Sequence, residues 1–209
     1  MLSDTLTIFK DKNMKQLSIF LFLFLMGSCT INKPYTAISP ITKIEGRTIY
    51  HEDGQKGQLP IGKKENGTVI YLVRHAEKAK VGGRDPLLTE AGTNRANRLK
   101  DILMEAGIDA VYTTEYQRTQ LTGEPTAKYF KQNIKSYNPS DLTNFAKTLK
   151  TKHKGEEILV VGHSNTTPTL VNALLEFEKY PMIDEKEYGH LFVVTVNESG
   201  TVTAMDLRY

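Results

Sequence analysis

Thr68-Val69-Ile70-Tyr71-Leu72-Val73-Arg74-His75-Ala76-Glu77-Lys78 is the run from which the architecture of this chain is read. Residues 69–73 are apolar and rich in β-branched types, as expected of a strand buried on both faces. The run stops abruptly at Arg74-His75, with Glu77 and Lys78 close behind. A buried strand that delivers a cation and an imidazole at its C-terminal end places them where open α/β sheets bind ligands.

Outward from this strand, helix and strand signals alternate. A loop at 81–87, with Gly82, Gly83 and Pro86, leads to Thr89. Thr89 can cap a helix running to about residue 105, with Ala91, Leu99, Ile102 and Leu103 on its apolar face and Gly107 ending it. Residues 110–113 read as a second strand, followed by a helix through Arg118 that is expected to kink or break before Pro125. A third strand is expected at 134–137, and Ser140 or Asp141 can cap a helix to about residue 150. Residues 157–162, built on Ile158-Leu159-Val160-Val161, form a fourth strand. Pro168 suits the first turn of a helix reaching about residue 176. Residues 191–196 and 201–207 alternate around Glu198-Ser199-Gly200 as a closing hairpin. These units predict a three-layer α/β/α domain with a mostly parallel central sheet over residues 68–209.

Composition narrows the class. At 209 residues, with 24% charged and 39% hydrophobic residues, the chain is of globular type. The net charge of +3 is small and the Lys and Arg residues are scattered. No basic stripe interleaved with aromatics points to nucleic acid. The single cysteine, Cys29, excludes a disulfide within the chain.

Upstream, residues 17–26 are apolar apart from Ser18, preceded by Lys15 and followed by Gly27-Ser28-Cys29. The run is short for a bilayer span and fits the core of a signal peptide. Leu25-Met26-Gly27-Ser28-Cys29 resembles the lipobox of bacterial lipoproteins, in which the cysteine is acylated and becomes the first mature residue. Residues 1–28 are therefore expected to be a signal peptide, with Met14-Lys15 as an alternative start. Residues 29–67, which contain Pro34, Pro40 and Pro60, are expected to be the lipidated Cys29 and a tether, with a short hairpin or extended arm around 44–50. Acyl chains on Cys29 would hold the protein to a membrane of the bacterial cell envelope, outside the cytoplasm.

The chemistry is expected where strands end. Arg74-His75 follows the first strand, Thr113-Thr114-Glu115-Tyr116-Gln117-Arg118 the second, and His163-Ser164-Asn165 the fourth. In a parallel sheet these ends share one edge, so two guanidiniums and two imidazoles can meet in one crevice suited to a phosphate dianion. With these residues in place the chain resembles the histidine phosphatase superfamily, of phosphoglycerate mutase-like fold. The matching segments are Arg74-His75, Leu88-Thr89-Glu90-Ala91-Gly92 at the first helix, Arg118 with Thr122, and Gly162-His163. Most members carry Gly after the first His, where this chain has Ala76.

The resemblance implies that His75 is the nucleophile and forms a phosphohistidine. It further implies that Arg74, Arg118 and His163 hold the phosphoryl oxygens, with no metal or cofactor. The second ring nitrogen of His75 is then expected to donate to a backbone carbonyl. The proton donor stays open between Glu115 and Asp141. Lys78, Ser164 and Asn165 are candidate rim residues, while His51, His153 and His190 fall outside the motifs. The expected activity is hydrolysis of small phosphate monoesters. Alternatives are a protein phosphohistidine phosphatase, a lipoprotein that only binds a phosphorylated ligand, and a serine hydrolase. In the last, Ser164 would sit on a nucleophile elbow and draw on Asp184 and His190. Thr166 stands where that turn wants Gly.

Overall fold

The computed structural model describes residues 39–209. The expected signal peptide, its Met14 start and Cys29 lie outside the described residues. Three short antiparallel strands come first: β1 (Ile41–Glu45), β2 (Thr48–His51) and β3 (Lys56–Gln58). The hairpin expected around 44–50 is there, but residues 41–59 are not a bare tether. Ile41, Ile44, Ile49 and Leu59 are fully buried in the same apolar cluster as the main sheet. The folded body thus begins near Ile41, and the expected boundary at Thr68 is corrected. A register shift between Ile41 and Lys43 explains why the pattern was hidden. The irregularity brings Ile41 and Ile44 to one face although they are three residues apart, which breaks the two-residue period of a regular strand.

The main sheet follows from β4 (Thr68–Arg74), β5 (Ala110–Thr113), β6 (Ile134–Ser136), β7 (Glu157–Gly162), β8 (His190–Val196) and β9 (Val202–Arg208), in the spatial order β6-β5-β7-β4-β8-β9. The first four strands of that order run parallel, and β8 and β9 add as an antiparallel hairpin. The helices are α1 (Glu90–Leu103), α2 (Gln117–Tyr129), α3 (Leu142–Lys152) and α4 (Thr166–Leu175). Val69, Tyr71 and Val73 face a cluster with Leu99, Ile102 and Leu103 of α1 and Ala127 of α2. Ile70 and Leu72 face Phe145 and Leu149 of α3 and Leu170, Val171 and Leu174 of α4. The continuous apolar run of β4 is therefore divided residue by residue between two helical layers, giving the three-layer α/β/α architecture.

Pro125 lies inside α2, which does not break there as the sequence suggested. Tertiary packing outweighs the local penalty: Thr119, Thr122, Gly123, Thr126 and Ala127 are all buried. A Cβ at Gly123 would meet Thr113, Val111 and Val161 side chains at 3.3 to 3.4 Å, so the glycine lets α2 lie close on the sheet.

One feature of the connections positions the site. The chain leaves β4 toward α1 on one face of the sheet and leaves the adjacent β7 toward α4 on the other. The crevice between diverging loops at the C-terminal edge is the ligand position of an open α/β sheet.

Candidate active site

Register brings the two strand ends together. Arg74 pairs with Gly162 across β4 and β7, and the His75 amide donates to the Gly162 carbonyl at 2.9 Å. The next residues on each strand are His75 and His163, whose rings stand 5.5 Å apart, edge to face. On the other flank of β7, Thr113 pairs with Val161, so Thr114 arrives beside His163, its Oγ1 3.0 Å from Nε2. Tyr116 stacks edge-on to His163 at 5.3 Å, and the Arg118 guanidinium lies over the Tyr116 ring at 4.1 Å. The four residues expected in one crevice are thus neighbours.

His75 is 3% exposed, and its Nδ1 lies 2.8 Å from the Ala76 carbonyl. A carbonyl only accepts, so Nδ1 carries the proton and Nε2 keeps the lone pair. Burial pushes the His75 imidazole down to about 3, against its ordinary 6.5, with Arg74, Arg118 and His163 adding to the effect. Burial, Arg118 and Arg74 push His163 down to about 4. Both rings are neutral at neutral pH.

From pH 6.5 down to about 4 the unfolded chain binds protons at these two rings while the native one does not, so the stability they contribute is lost as pH falls. Buried Glu157, held up at about 7, acts in the opposite sense as pH rises from 4.5. The rings are therefore best followed one by one. In an NMR titration His75 and His163 should show no midpoint above pH 5, while His190, raised by Asp206 and Glu187, titrates above 6.5. A midpoint near 6.5 for His75 would contradict this electrostatic picture.

Arg74 is 1% exposed, and its fork is largely occupied. Nη1 donates to the carbonyls of Asp184 and Glu187 at 3.0 and 2.9 Å, and Nη2 to the Glu185 carboxylate at 2.6 Å. Tyr188 stacks over the guanidinium at 4.3 Å. Arg118 has looser partners, the Asp85 carboxylate at 3.6 Å and the Arg84 carbonyl at 3.4 Å. In both arginines the buried Nε has no hydrogen-bond partner among the described residues. Two buried guanidinium donors left open beside two neutral imidazoles are costly unless an anion completes them.

Two elements hold this arrangement. The Thr122 hydroxyl accepts from the Ala76 amide at 2.9 Å and donates to the Arg118 carbonyl at 2.7 Å, tying the loop after β4 to α2. Glu77 binds Arg95 through three contacts of 2.8 to 3.0 Å, and Arg95 Nη1 reaches the Tyr209 carbonyl at 3.0 Å.

Lys78 is exposed at the rim, and its charge is felt by His163. The Ser164 hydroxyl donates to the Glu185 carboxylate. Asn165 is exposed at the start of α4, its carbonyl accepting from Thr169. Glu115 is exposed, and the neighbouring Arg118 guanidinium is met by Asp85 instead. Asp141 occupies the N-cap position of α3 without a side-chain cap. Its carboxylate accepts from the Asn144 amide at 3.0 and 2.9 Å.

The elbow reading of Ser164 finds no base: His190 binds Glu187, Asp206 and Arg208 instead. His51 and His153 make structural contacts, with Ser39 and with Glu156 and Tyr112. Tyr116, Tyr188, Asp85 and Glu185 were not anticipated. Three of them lie in loops without periodicity, and Tyr116 had no signal beyond its place before Arg118. Beside His163, Thr114, Glu115, Tyr116, Tyr137, Asn138 and Asp85 line a cleft of about 560 Å³, room for the rest of a substrate. Among the described residues no group of three or more His, Cys, Asp or Glu is placed to hold a metal ion.

Residues 70–138 match the model of the histidine phosphatase superfamily (branch 1). The match contains Arg74, His75, Arg118 and Thr122, and His163 lies outside it. No curated protein matches the chain. Among solved structures, the protein histidine phosphatase SixA complexed with tungstate superposes with a TM-score of 0.57 at 19% identity, over 67% of this chain and 96% of that one. YhfR of Bacillus stearothermophilus gives 0.54 at 19%, over 66% and 96%. A phosphoserine phosphatase from Entamoeba histolytica in complex with 3-phosphoglyceric acid gives 0.52 at 16%, over 68% and 97%. At these identities the likeness is one of fold, and the fold is phosphoglycerate mutase-like.

Proposed function

We propose, from the histidine phosphatase match and the residues that complete its site, that this protein hydrolyses small phosphate monoesters through a phosphohistidine on His75. The observation that carries the reading is the pair of buried, unpartnered Nε donors of Arg74 and Arg118 flanking a neutral His75 whose Nε2 lone pair is free. Nε2 attacks phosphorus, the ester bond breaks, and its electron pair leaves with the alkoxide. Water then attacks the phosphohistidine, and the pair of the P–N bond returns to Nε2. Arg118, the Nε of Arg74 and His163 stabilise the charge on the transferring group, and their fixed placement supplies most of the effect.

The protein is expected to turn over p-nitrophenyl phosphate in the presence of a chelator, with competitive inhibition by vanadate. Arg118→Ala should cut kcat/KM by roughly 10²–10³-fold, the size of losing one preorganised oxyanion donor. Binding of vanadate without any turnover would leave a binding protein and overturn the enzymatic reading.

Export and anchoring through Cys29 belong to the same proposal, on the strength of the lipobox-like stretch 25–29. Cys29→Ser is expected to move the protein from the membrane fraction to the soluble one or to stall it unprocessed. Absence of labelled fatty acid from the wild-type protein would refute the anchor.

A further inference from the structure

The reaction needs a group that protonates the departing oxygen and later takes a proton from the attacking water. We propose that Glu185 is this group, an inference that rests on the phosphatase reading of His75. The two carboxylates suggested by the sequence are poorly placed. Asp141 is engaged with Asn144 at the start of α3, and Glu115 lines the neighbouring cleft without a hydrogen bond to either imidazole.

Glu185 comes instead from the segment between α4 and β8. One carboxylate oxygen accepts from Arg74 Nη2 at 2.6 Å and the other from the Ser164 hydroxyl. Arg74 immediately precedes His75 and Ser164 immediately follows His163, so the carboxylate is slung between the two strand ends that carry the imidazoles. Depth separates the roles. His75 is 3% exposed at the floor of the crevice, whereas the Glu185 side chain is 69% exposed at its mouth. In-line displacement sends the leaving oxygen away from the nucleophile. With His75 below, that direction is toward the mouth.

The local charges fit a group that must change protonation during turnover. The hydrogen bond from Ser164 and the charges of Arg74 and Lys78 hold the Glu185 carboxyl below its ordinary range in the free protein. A phosphate dianion bound at the open Nε of Arg74 sets its negative charge beside the Glu185 carboxylate, and this like-charge repulsion drives the carboxylate to take up a proton from solvent. As Nε2 bonds to phosphorus and the ester bond breaks, the alkoxide takes that proton and leaves as the alcohol. Glu185, ionised again, then accepts a proton from the water whose oxygen bonds to phosphorus, while the P–N electron pair returns to Nε2. Phosphate departs and the acid form is restored.

The test compares Glu185→Gln with the wild type on p-nitrophenyl phosphate, whose leaving group needs no acid, and on glycerol phosphate, whose leaving group does. The variant should lose roughly 10²–10⁴-fold on glycerol phosphate. It should still form phosphoenzyme from p-nitrophenyl phosphate and accumulate it, because hydrolysis lacks its base. Equal losses on both substrates without accumulation would make Glu185 a structural contact and overturn the inference. Unchanged or faster turnover of both would make it only a competitor for Arg74, with the same consequence. A wild type that turns both substrates over through phosphohistidine, beside a variant indifferent to the leaving group, sinks the proton role alone. A wild type without phosphohistidine sinks the phosphatase reading and this inference together.

Discussion

Replacing His75 with alanine is expected to lower kcat for p-nitrophenyl phosphate by about 10⁴-fold or more, the scale of deleting a covalent nucleophile. The size follows from the absence of a substitute. His163, the neighbouring imidazole, is engaged by Thr114 and sits on the adjacent strand. It cannot reach phosphorus from the His75 side without giving up its own position. Folding should survive, because the ring's single hydrogen bond is to the next residue, Ala76. Arg74, the large buried side chain at this strand end, keeps its contacts with Asp184, Glu185 and Glu187. Vanadate affinity measured alongside kcat shows whether the anion site is intact. A variant that retains more than a tenth of the activity would remove His75 from the chemistry.

Gly92→Ala is the substitution expected to hurt the fold most. A Cβ at this position would stand 2.3 Å from the Glu77 carbonyl oxygen and 3.0 Å from the Glu77 amide nitrogen. Backbone cannot yield as the tip of a side chain can. The same carbonyl accepts from the Thr89 amide at 2.8 Å and from its hydroxyl at 3.2 Å, so the start of α1 is fastened to residue 77. Relief of the clash requires moving α1 or the loop two residues beyond His75. The expected cost is about 3–5 kcal/mol, at the upper end for single substitutions. For a domain of this size that lowers Tm by roughly 10 °C. Activity should fall further than stability explains, because the displaced loop begins directly after His75, the proposed nucleophile. A calorimetric Tm within 2 °C of wild type, with full activity, would contradict the close packing of α1 on Glu77.

What the sequence made legible was local or repeated with a clean period. The apolar runs of β4 and β7 are buried on both faces and end in Arg74-His75 and Gly162-His163, so the parallel-sheet rule sufficed to gather the crevice. Thr89 does cap α1, accepting from the Gly92 amide at 3.1 Å. The segment Leu88-Thr89-Glu90-Ala91-Gly92 read as a helix start, but the need for glycine at its end comes from a contact with residue 77 that no spacing announces. The same holds for the anionic side of the site. Glu185 and Tyr188 belong to an aperiodic stretch and acquire meaning only when β8 turns back beside β4 and lays that stretch over Arg74. The arm of residues 41–58 was hidden by its own irregularity. The helix runs through Pro125 without a break because packing on the sheet prevails over the local rule.

The most direct measurement is a brief pulse of radioactive phosphate ester on the wild-type protein, followed by quenching and mapping of the label. The account predicts acid-labile, base-stable label on the peptide containing His75, absent from His75→Ala. Label on Ser164, or turnover with no covalent label on any rapid-quench timescale, would contradict it.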